Sequence, residues 1–61
     1  MIITMSDVRA ANMCSRGARA FLTRHGYDWS TFLREGVPEA FLLETQDAMA
    51  LKVVEVARGR R

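Results

Sequence analysis

Apolar residues cover most sides of a predicted helix between Thr45 and Gly59, near the end of the chain. The apolar positions are Met49, Ala50, Leu51, Val53, Val54, Val56 and Ala57. The polar residues Lys52 and Glu55 lie three apart and therefore share one narrow stripe. Thr45 is expected to cap the first turn, and Gly59 to end the helix. A helix that is apolar on most sides is a buried one, so we expect the other helices to pack around it.

A second apolar face runs through the first half of the chain. Its residues recur at the spacing of one helical face and are Cys14, Ala18, Phe21, Leu22 and His25. Arg16, Arg19 and Arg24 fall on the opposite face of the same helix. Gly26 is expected to end this helix, with Tyr27 folding back on it. The pattern therefore predicts that the three arginines point away from the core.

Capping signals predict how the chain begins. Thr4 and Asp7 stand at the spacing of a capping box, which predicts a short helix over residues 7–13, and Ser6 is the alternative cap. Ser15 is expected to cap the arginine-bearing helix that follows. Residues 2–3 are the only candidate for a short extended segment, because no other stretch alternates apolar and polar residues with period two.

Two further helices are predicted before the C-terminal one. Asp28 is expected to cap a helix that ends at Gly36, and Pro38 to stand in the first turn of the next helix. Their apolar faces consist of Trp29, Phe32 and Leu33, and then of Phe41, Leu42 and Leu43. The predicted fold is all-α, a compact orthogonal bundle of four to five short helices packed around the C-terminal helix.

Length and composition limit the possibilities further. The 61 residues predict one helical domain over residues 1–61, in which residues 58–61 form a basic tail and Arg60 and Arg61 are mobile. An apolar share of 49% is high for this length, so we expect a partner or a second copy to cover some apolar surface. Cys14 is the single cysteine and His25 the single histidine, which excludes an internal disulfide and a four-ligand zinc site. We expect no metal and no cofactor.

The sequence also bears on location. The N-terminus lacks the basic segment and the long apolar run of a signal peptide. No stretch approaches the ~20 apolar residues that are needed to span a bilayer. We therefore expect a soluble cytoplasmic protein without a membrane partner.

Charge is distributed unevenly along the chain. The formal net charge is +2, which is too small to demonstrate a nucleic-acid partner. Residues 1–26 carry four arginines against one acid, whereas residues 27–57 carry two basic residues against six acids. The last four residues include three arginines. These groups are either solvated faces or contact surfaces, and charge alone does not distinguish the two.

Cys14 and His25 are the only residues that resemble a nucleophile and its base. On one continuous helix they would lie roughly 16 Å apart. Both fall on the predicted buried face, which favours a small buried cysteine and a half-buried histidine. The sequence also lacks a glycine-rich phosphate loop. We predict a protein that is not an enzyme and has no small-molecule substrate.

A set of capping and apolar residues recurs at characteristic spacings in the first third of the chain, namely Thr4, Asp7-Val8, Ser15 and Phe21-Leu22. With this set, residues 4–22 resemble the helix-turn-helix start of MerR-like and phage excisionase-like proteins. The resemblance implies a DNA-binding regulator whose second helix enters the major groove. Two positions depart from it: Arg9 replaces the small residue of the first helix, and Met13 replaces the turn glycine.

A second set of residues spans most of the chain and consists of Gly17-Ala18-Arg19, Phe21, residues 25–28, residues 32–38 and Asp47-Ala48-Met49-Ala50. With this set the chain resembles a family of small proteins encoded by tailed phages and prophages. The resemblance implies a viral setting, in the host cytoplasm or the virion, where small proteins serve virion assembly or bind a host protein. It implies no catalytic residues.

These observations favour a non-enzymatic phage-type binding protein that acts through protein–protein contacts. The alternative is a small helix-turn-helix regulator that binds DNA, and a third option is a homo-oligomeric piece of the virion. The candidate contact residues for a protein partner or a nucleic acid are Arg16, Arg19, Arg24, Tyr27 and Trp29. The modest net charge and the missing turn glycine favour the protein partner over the nucleic acid.

Overall fold

A computed structural model describes all residues from Met1 to Arg61. Five short helices and a two-stranded sheet follow one another as β1 (Ile2–Ile3), α1 (Met5–Ala10), α2 (Ser15–Arg24), α3 (Trp29–Glu35), β2 (Val37–Pro38), α4 (Glu39–Thr45) and α5 (Ala48–Arg60). The C-terminal helix α5 packs against α1 and α4. The predicted compact bundle of five short helices, in which the C-terminal helix packs against the others, is therefore confirmed.

The two short strands close one side of the bundle. β1 and β2 are antiparallel, with Ile2 opposite Pro38 and Ile3 opposite Val37. Ile3 and Val37 are fully buried, so the pair adds apolar side chains to the core. The extended segment at residues 2–3 is confirmed, whereas β2 was not predicted. Pro38 pairs at an edge, where a proline is tolerated, and it caps α4 instead of standing inside its first turn.

The capping box of α1 is confirmed, but the helix spans Met5–Ala10 and not residues 7–13. The carboxylate of Asp7 accepts a hydrogen bond of 2.9 Å from the backbone N–H of Thr4, and a second one from the Thr4 hydroxyl. The helix ends at Ala10 instead of Met13 because Asn12 adopts a left-handed conformation with φ of 63°. Asparagine tolerates this region better than most residues, and the chain can therefore turn toward α2.

Helix α2 ends in the predicted way. Gly26 has φ of 78°, and the Tyr27 N–H donates to the Leu22 carbonyl over 2.8 Å. This pattern is a Schellman motif, which satisfies carbonyls at the helix end. At the start of the helix the cap residue is Cys14, not Ser15 as predicted, since Ser15 already belongs to the first turn.

Helix α3 has both predicted ends. The Asp28 carboxylate accepts a hydrogen bond of 2.9 Å from the Thr31 N–H and caps the helix. The hydrogen bonds from the Thr31 backbone and hydroxyl hold the pKa of Asp28 below its ordinary value. Gly36 ends the helix with φ of 79° and ψ of −169°, a conformation that is essentially restricted to glycine.

The boundary between α4 and α5 differs from the prediction. Asp47, not Thr45, caps α5, because its carboxylate accepts hydrogen bonds from the N–H groups of Met49 and Ala50. The Thr45 hydroxyl instead donates to a carbonyl of α4 over 2.7 Å. Gly59 does not stop the helix, which continues to Arg60.

Helix α5 buries one side only. Its buried residues are Ala50, Val53, Val54 and Ala57. Met49 is 52% exposed and Leu51 is 41% exposed, so the prediction of a helix buried on most sides is wrong. The bundle is too small to surround α5, because a chain of 61 residues offers few neighbours for a second apolar side.

The last residues belong to the folded domain. Arg60 and Arg61 donate hydrogen bonds of 3.0 and 3.1 Å to the carboxylate of Asp7 at the start of α1. Arg61 also donates to the carbonyl of Ile2, which joins β1 to the end of α5. The expectation that Arg60 and Arg61 are mobile is therefore wrong, because both are held by the buried carboxylate of Asp7.

Candidate functional site

Three predicted contact residues lie on the outer face of α2. Arg16, Arg19 and Arg24 are all exposed, as the spacing predicted. None of them takes part in an ion pair. The ion pairs of the protein involve Arg34, the three C-terminal arginines and the N-terminal amine.

The only acidic residue among residues 1–26 already has cationic partners. Asp7 is 1% exposed and its carboxylate contacts Arg60 and Arg61. Arg9 on α1 is exposed and likewise has no acidic partner. The helical pair α1–α2 therefore presents uncompensated positive charge, which attracts an acidic partner.

Phe21 connects the basic face to the apolar interior. The Arg24 guanidinium carbon lies 5.7 Å from the centroid of the Phe21 ring, within the range of a cation–π contact. The His25 ring lies 4.5 Å away between centroids, tilted by 45°. His25 is exposed, so its predicted place on the buried face is wrong: α2 ends at Arg24 and His25 lies beyond its last turn.

Cys14 and His25 flank α2 from opposite ends, as its N-cap and C-cap residues. The Cys14 thiol is exposed, so the prediction that it belongs to the core is wrong. A residue that caps a helix lies outside the helical repeat, and the apolar spacing therefore no longer determines its direction. The structure does not bring these two residues together.

Tyr27 and Trp29 follow α2 and are both half-buried. The Tyr27 hydroxyl donates to the carbonyl of Gly36 over 3.1 Å, and its ring meets Phe41 edge-on at 5.0 Å. The Trp29 ring stacks on Phe32 at 5.3 Å. Phe32 itself is buried and is not available to a partner.

An apolar crevice lies between the helices, with a cavity volume of about 40 Å³. All the side chains that line it are hydrophobic: Ile3, Val8, Met13, Ala18, Phe21, Leu22, Phe32, Val37, Leu42, Met49, Ala50 and Val53. Most of these residues are buried, but Met13 and Phe21 are half-buried and Met49 is exposed. These three side chains therefore form the mouth of the crevice.

The lining determines what the crevice can bind. A bound water needs two to four polar partners, and these side chains supply none. The cavity is also far smaller than the roughly 150 Å³ of an engineered cavity that holds benzene. An aliphatic group of a few carbon atoms fits its size and its chemistry.

Other kinds of site are not found. No three His, Cys, Asp or Glu side chains are grouped so that they could hold a metal ion. No helix combines the length and the apolar character that crossing a bilayer requires. A scan against protein-family models, a search of curated proteins and a search of solved structures each found no match to this chain.

Sequence reasoning missed the crevice because its mouth is assembled from distant positions. Met13 follows α1, Phe21 belongs to α2 and Met49 to α5. The number of methionines, four in 61 residues, was the one signal that could have indicated an adaptable apolar surface.

Proposed function

We propose that this chain is a non-enzymatic binding protein that acts through protein–protein contacts. The observation that carries the proposal is the wholly apolar crevice with Met13, Phe21 and Met49 at its mouth. Covering such side chains stabilises a complex by about 25 cal/mol for each Å² removed from water. Methionine side chains are flexible and adapt to the shape of a partner.

The biological setting of the proposal comes from the sequence resemblance. Small proteins of tailed phages and prophages serve virion assembly or bind host proteins, and we propose the same two roles for this chain. The separation of Cys14 from His25 by the length of α2 supports a binding role, because no nucleophile stands beside a base.

Selection from a library of displayed random 12-residue peptides tests the protein-binding function. The immobilised protein should enrich peptides that lose affinity for the Met49→Gln variant, which keeps the length of the side chain but makes the mouth polar. Leu51→Gln is the matched control, because Leu51 is also exposed on α5 but does not line the crevice. Failure to enrich any peptide that distinguishes the two variants would count against the proposal.

A second copy of the chain is one candidate protein partner. Several large apolar side chains are exposed, namely Met1, Ile2, Leu33, Leu43, Met49 and Leu51. Sedimentation velocity at rising protein concentration measures self-association. A species that remains monomeric up to millimolar concentration would restrict the proposal to a different protein partner.

DNA binding is the second candidate function, favoured by the turn between α1 and α2. Asn12 supplies a left-handed residue one position before Met13, so the turn forms without the glycine of the helix-turn-helix resemblance. Arg16 and Arg19 then lie exposed and unpaired on the second helix, where a groove-binding helix carries its contacts.

Gel-shift titrations on random and phage-derived duplexes at ~150 mM salt test this candidate. For each phosphate that the protein neutralises, binding should weaken by close to one log unit per log unit of salt. Arg19→Gln should reduce that slope, whereas Arg34→Gln on α3 should leave it unchanged. Sequence-specific binding tighter than the micromolar non-specific range would establish DNA as the partner and overturn the first proposal.

A further inference from the structure

We propose that the crevice binds a protein segment that inserts one small aliphatic side chain and places acidic residues beside it, against α2. This inference rests on the protein-binding function proposed above and specifies the chemistry of the partner. It follows from the size and lining of the crevice, and from the charges around its mouth.

The aliphatic side chain follows from the cavity itself. A volume of about 40 Å³ takes the tip of an aliphatic side chain and is too small for an aromatic ring. A polar side chain would lose its hydrogen bonds to water without replacement, because every lining side chain is hydrophobic.

The acidic residues follow from the α2 side of the mouth. Phe21 lines the crevice, and the Arg24 guanidinium lies over its ring at 5.7 Å. Arg24 has no carboxylate within ion-pair distance, and neither do Arg16 and Arg19 on the same helix. A carboxylate of the partner therefore meets positive charge that no residue of the chain neutralises.

The α5 side of the mouth determines the orientation of the segment. Asp47 stands two residues before Met49, and its carboxylate is engaged with the first N–H groups of α5. A partner carboxylate placed there would face the Asp47 carboxylate, a group of like charge. The acidic residues of the partner should therefore lie on the α2 side of the inserted side chain.

The peptides enriched from the displayed 12-residue library provide the test. The expected sequences contain a Leu, Ile, Val or Met next to Asp or Glu. A synthetic peptide of the enriched sequence should bind about threefold or more weakly to Met49→Gln than to the native protein. Replacing the acidic residues of the peptide by Gln and Asn should weaken its binding. Raising the salt from ~50 to ~300 mM should weaken binding of the acidic peptide but not of the neutral one.

Arginine variants locate the acidic contact. Arg24→Gln should weaken the acidic peptide by about two- to fivefold, the range of an exposed ion pair. Arg34→Gln is the matched control, because Arg34 is exposed on α3 and its one ionic contact, at 3.8 Å, is to the neighbouring Glu35. Circular dichroism of each variant confirms that the fold is retained, since Met49, Arg24 and Arg34 are all exposed.

The outcomes separate the inference from the function on which it rests. Peptides that need Met49 but show no preference for acids would overturn the inference and leave the protein-binding function intact. Competition for the peptide by duplex DNA, without any requirement for acids in the peptide, would also overturn the inference. The absence of all peptide binding would remove the protein-binding proposal as well.

Discussion

Asp7 shows how one buried side chain joins both ends of the chain. Its carboxylate accepts hydrogen bonds from Thr4, Arg60 and Arg61, and no buried side-chain polar atom of the protein lacks a partner. Burial by itself would raise the pKa of Asp7, but the hydrogen bonds from Arg61 and Thr4 outweigh it and hold the pKa below its ordinary value. Charged Asp7 therefore stabilises the folded state.

We predict that stability falls in acid because of Asp7. The folded-state pKa is lowered, so the stabilisation is present above the unfolded value of about 3.9 and is lost as the pH falls toward the folded pKa. Asp7→Asn should lower the free energy of unfolding at pH 7 by about 1–3 kcal/mol, the contribution of hydrogen bonds to a charged group. Urea unfolding at pH 7, 5, 4 and 3 measures both effects.

The pH series contains its own control. In Asp7→Asn the loss of stability between pH 5 and pH 3 should be smaller than in the native protein, because the residue that titrates is gone. Glu55→Gln should change stability by no more than about 0.5 kcal/mol, since Glu55 is exposed and makes no ion pair. An unchanged acid response in Asp7→Asn would contradict this account of Asp7.

At the scale of the element, two glycines of similar φ have different surroundings. Gly26 and Gly36 have φ of 78° and 79°. A Cβ atom on Gly26 would meet nothing within 4 Å, whereas one on Gly36 would lie 2.5 Å from the Ile2 side chain and 2.7 Å from the Ile3 carbonyl. Gly36 thus permits β1 to lie directly against the end of α3.

We predict that Gly36→Ala is more destabilising than Gly26→Ala. Gly26→Ala should cost about 1–2 kcal/mol, the steric penalty of a left-handed residue. Gly36→Ala should cost clearly more, because β1 must also move away. Comparison of urea unfolding midpoints measures the difference, and equal losses would show that β1 adapts freely.

The buried and the exposed side of α5 should respond differently to a charged substitution. Val53 is 3% exposed and Leu51 is 41% exposed, although both belong to one apolar run in the sequence. Val53→Asp should abolish folding, because it places an unpaired charge in a small core. Leu51→Asp should remain folded and lose at most about 1 kcal/mol. Circular dichroism with thermal unfolding tests both variants, and an unfolded Leu51→Asp protein would mean that α5 is buried on both sides.

At the scale of the whole molecule, folding separates paired from unpaired charge. The arginines near the C-terminus contact acids of distant elements: Arg58 lies 3.1 Å from Glu39, and Arg60 and Arg61 contact Asp7. The arginines of α1 and α2 have no such partners. The same residue type therefore stabilises the fold at one end of the sequence and leaves a free basic surface at the other.

We predict that deletion of Arg60 and Arg61 lowers the unfolding midpoint, because it leaves the buried carboxylate of Asp7 without its cationic partners. The double variant Arg16→Ala/Arg19→Ala removes the same charge and should leave the midpoint unchanged. In an Asp7→Asn background the deletion should have a smaller effect, which comes from the lost Arg61 contact with the Ile2 carbonyl, and a double-mutant cycle measures the difference. Equal effects of deletion in both backgrounds would show that Asp7 and these arginines act independently.

Local signals in the sequence determined the ends and faces of several elements. The pairing of Thr4 with Asp7, the Asp28 cap and the glycine ends at Gly26 and Gly36 each involve residues a few positions apart, so they are visible without a fold. The outward direction of the α2 arginines followed in the same way from helical periodicity, which is a property of neighbouring residues.

Only the tertiary structure decided which apolar residues are buried and which charges are paired. Periodicity marks an apolar side of a helix but not whether a neighbour covers it, and so Leu51 and Met49 were wrongly assigned to the core. Asp7 meets Arg61 across 54 positions, and the mouth of the crevice combines Met13, Phe21 and Met49. These residues lie far apart along the chain, and only the packing of the bundle brings their side chains together.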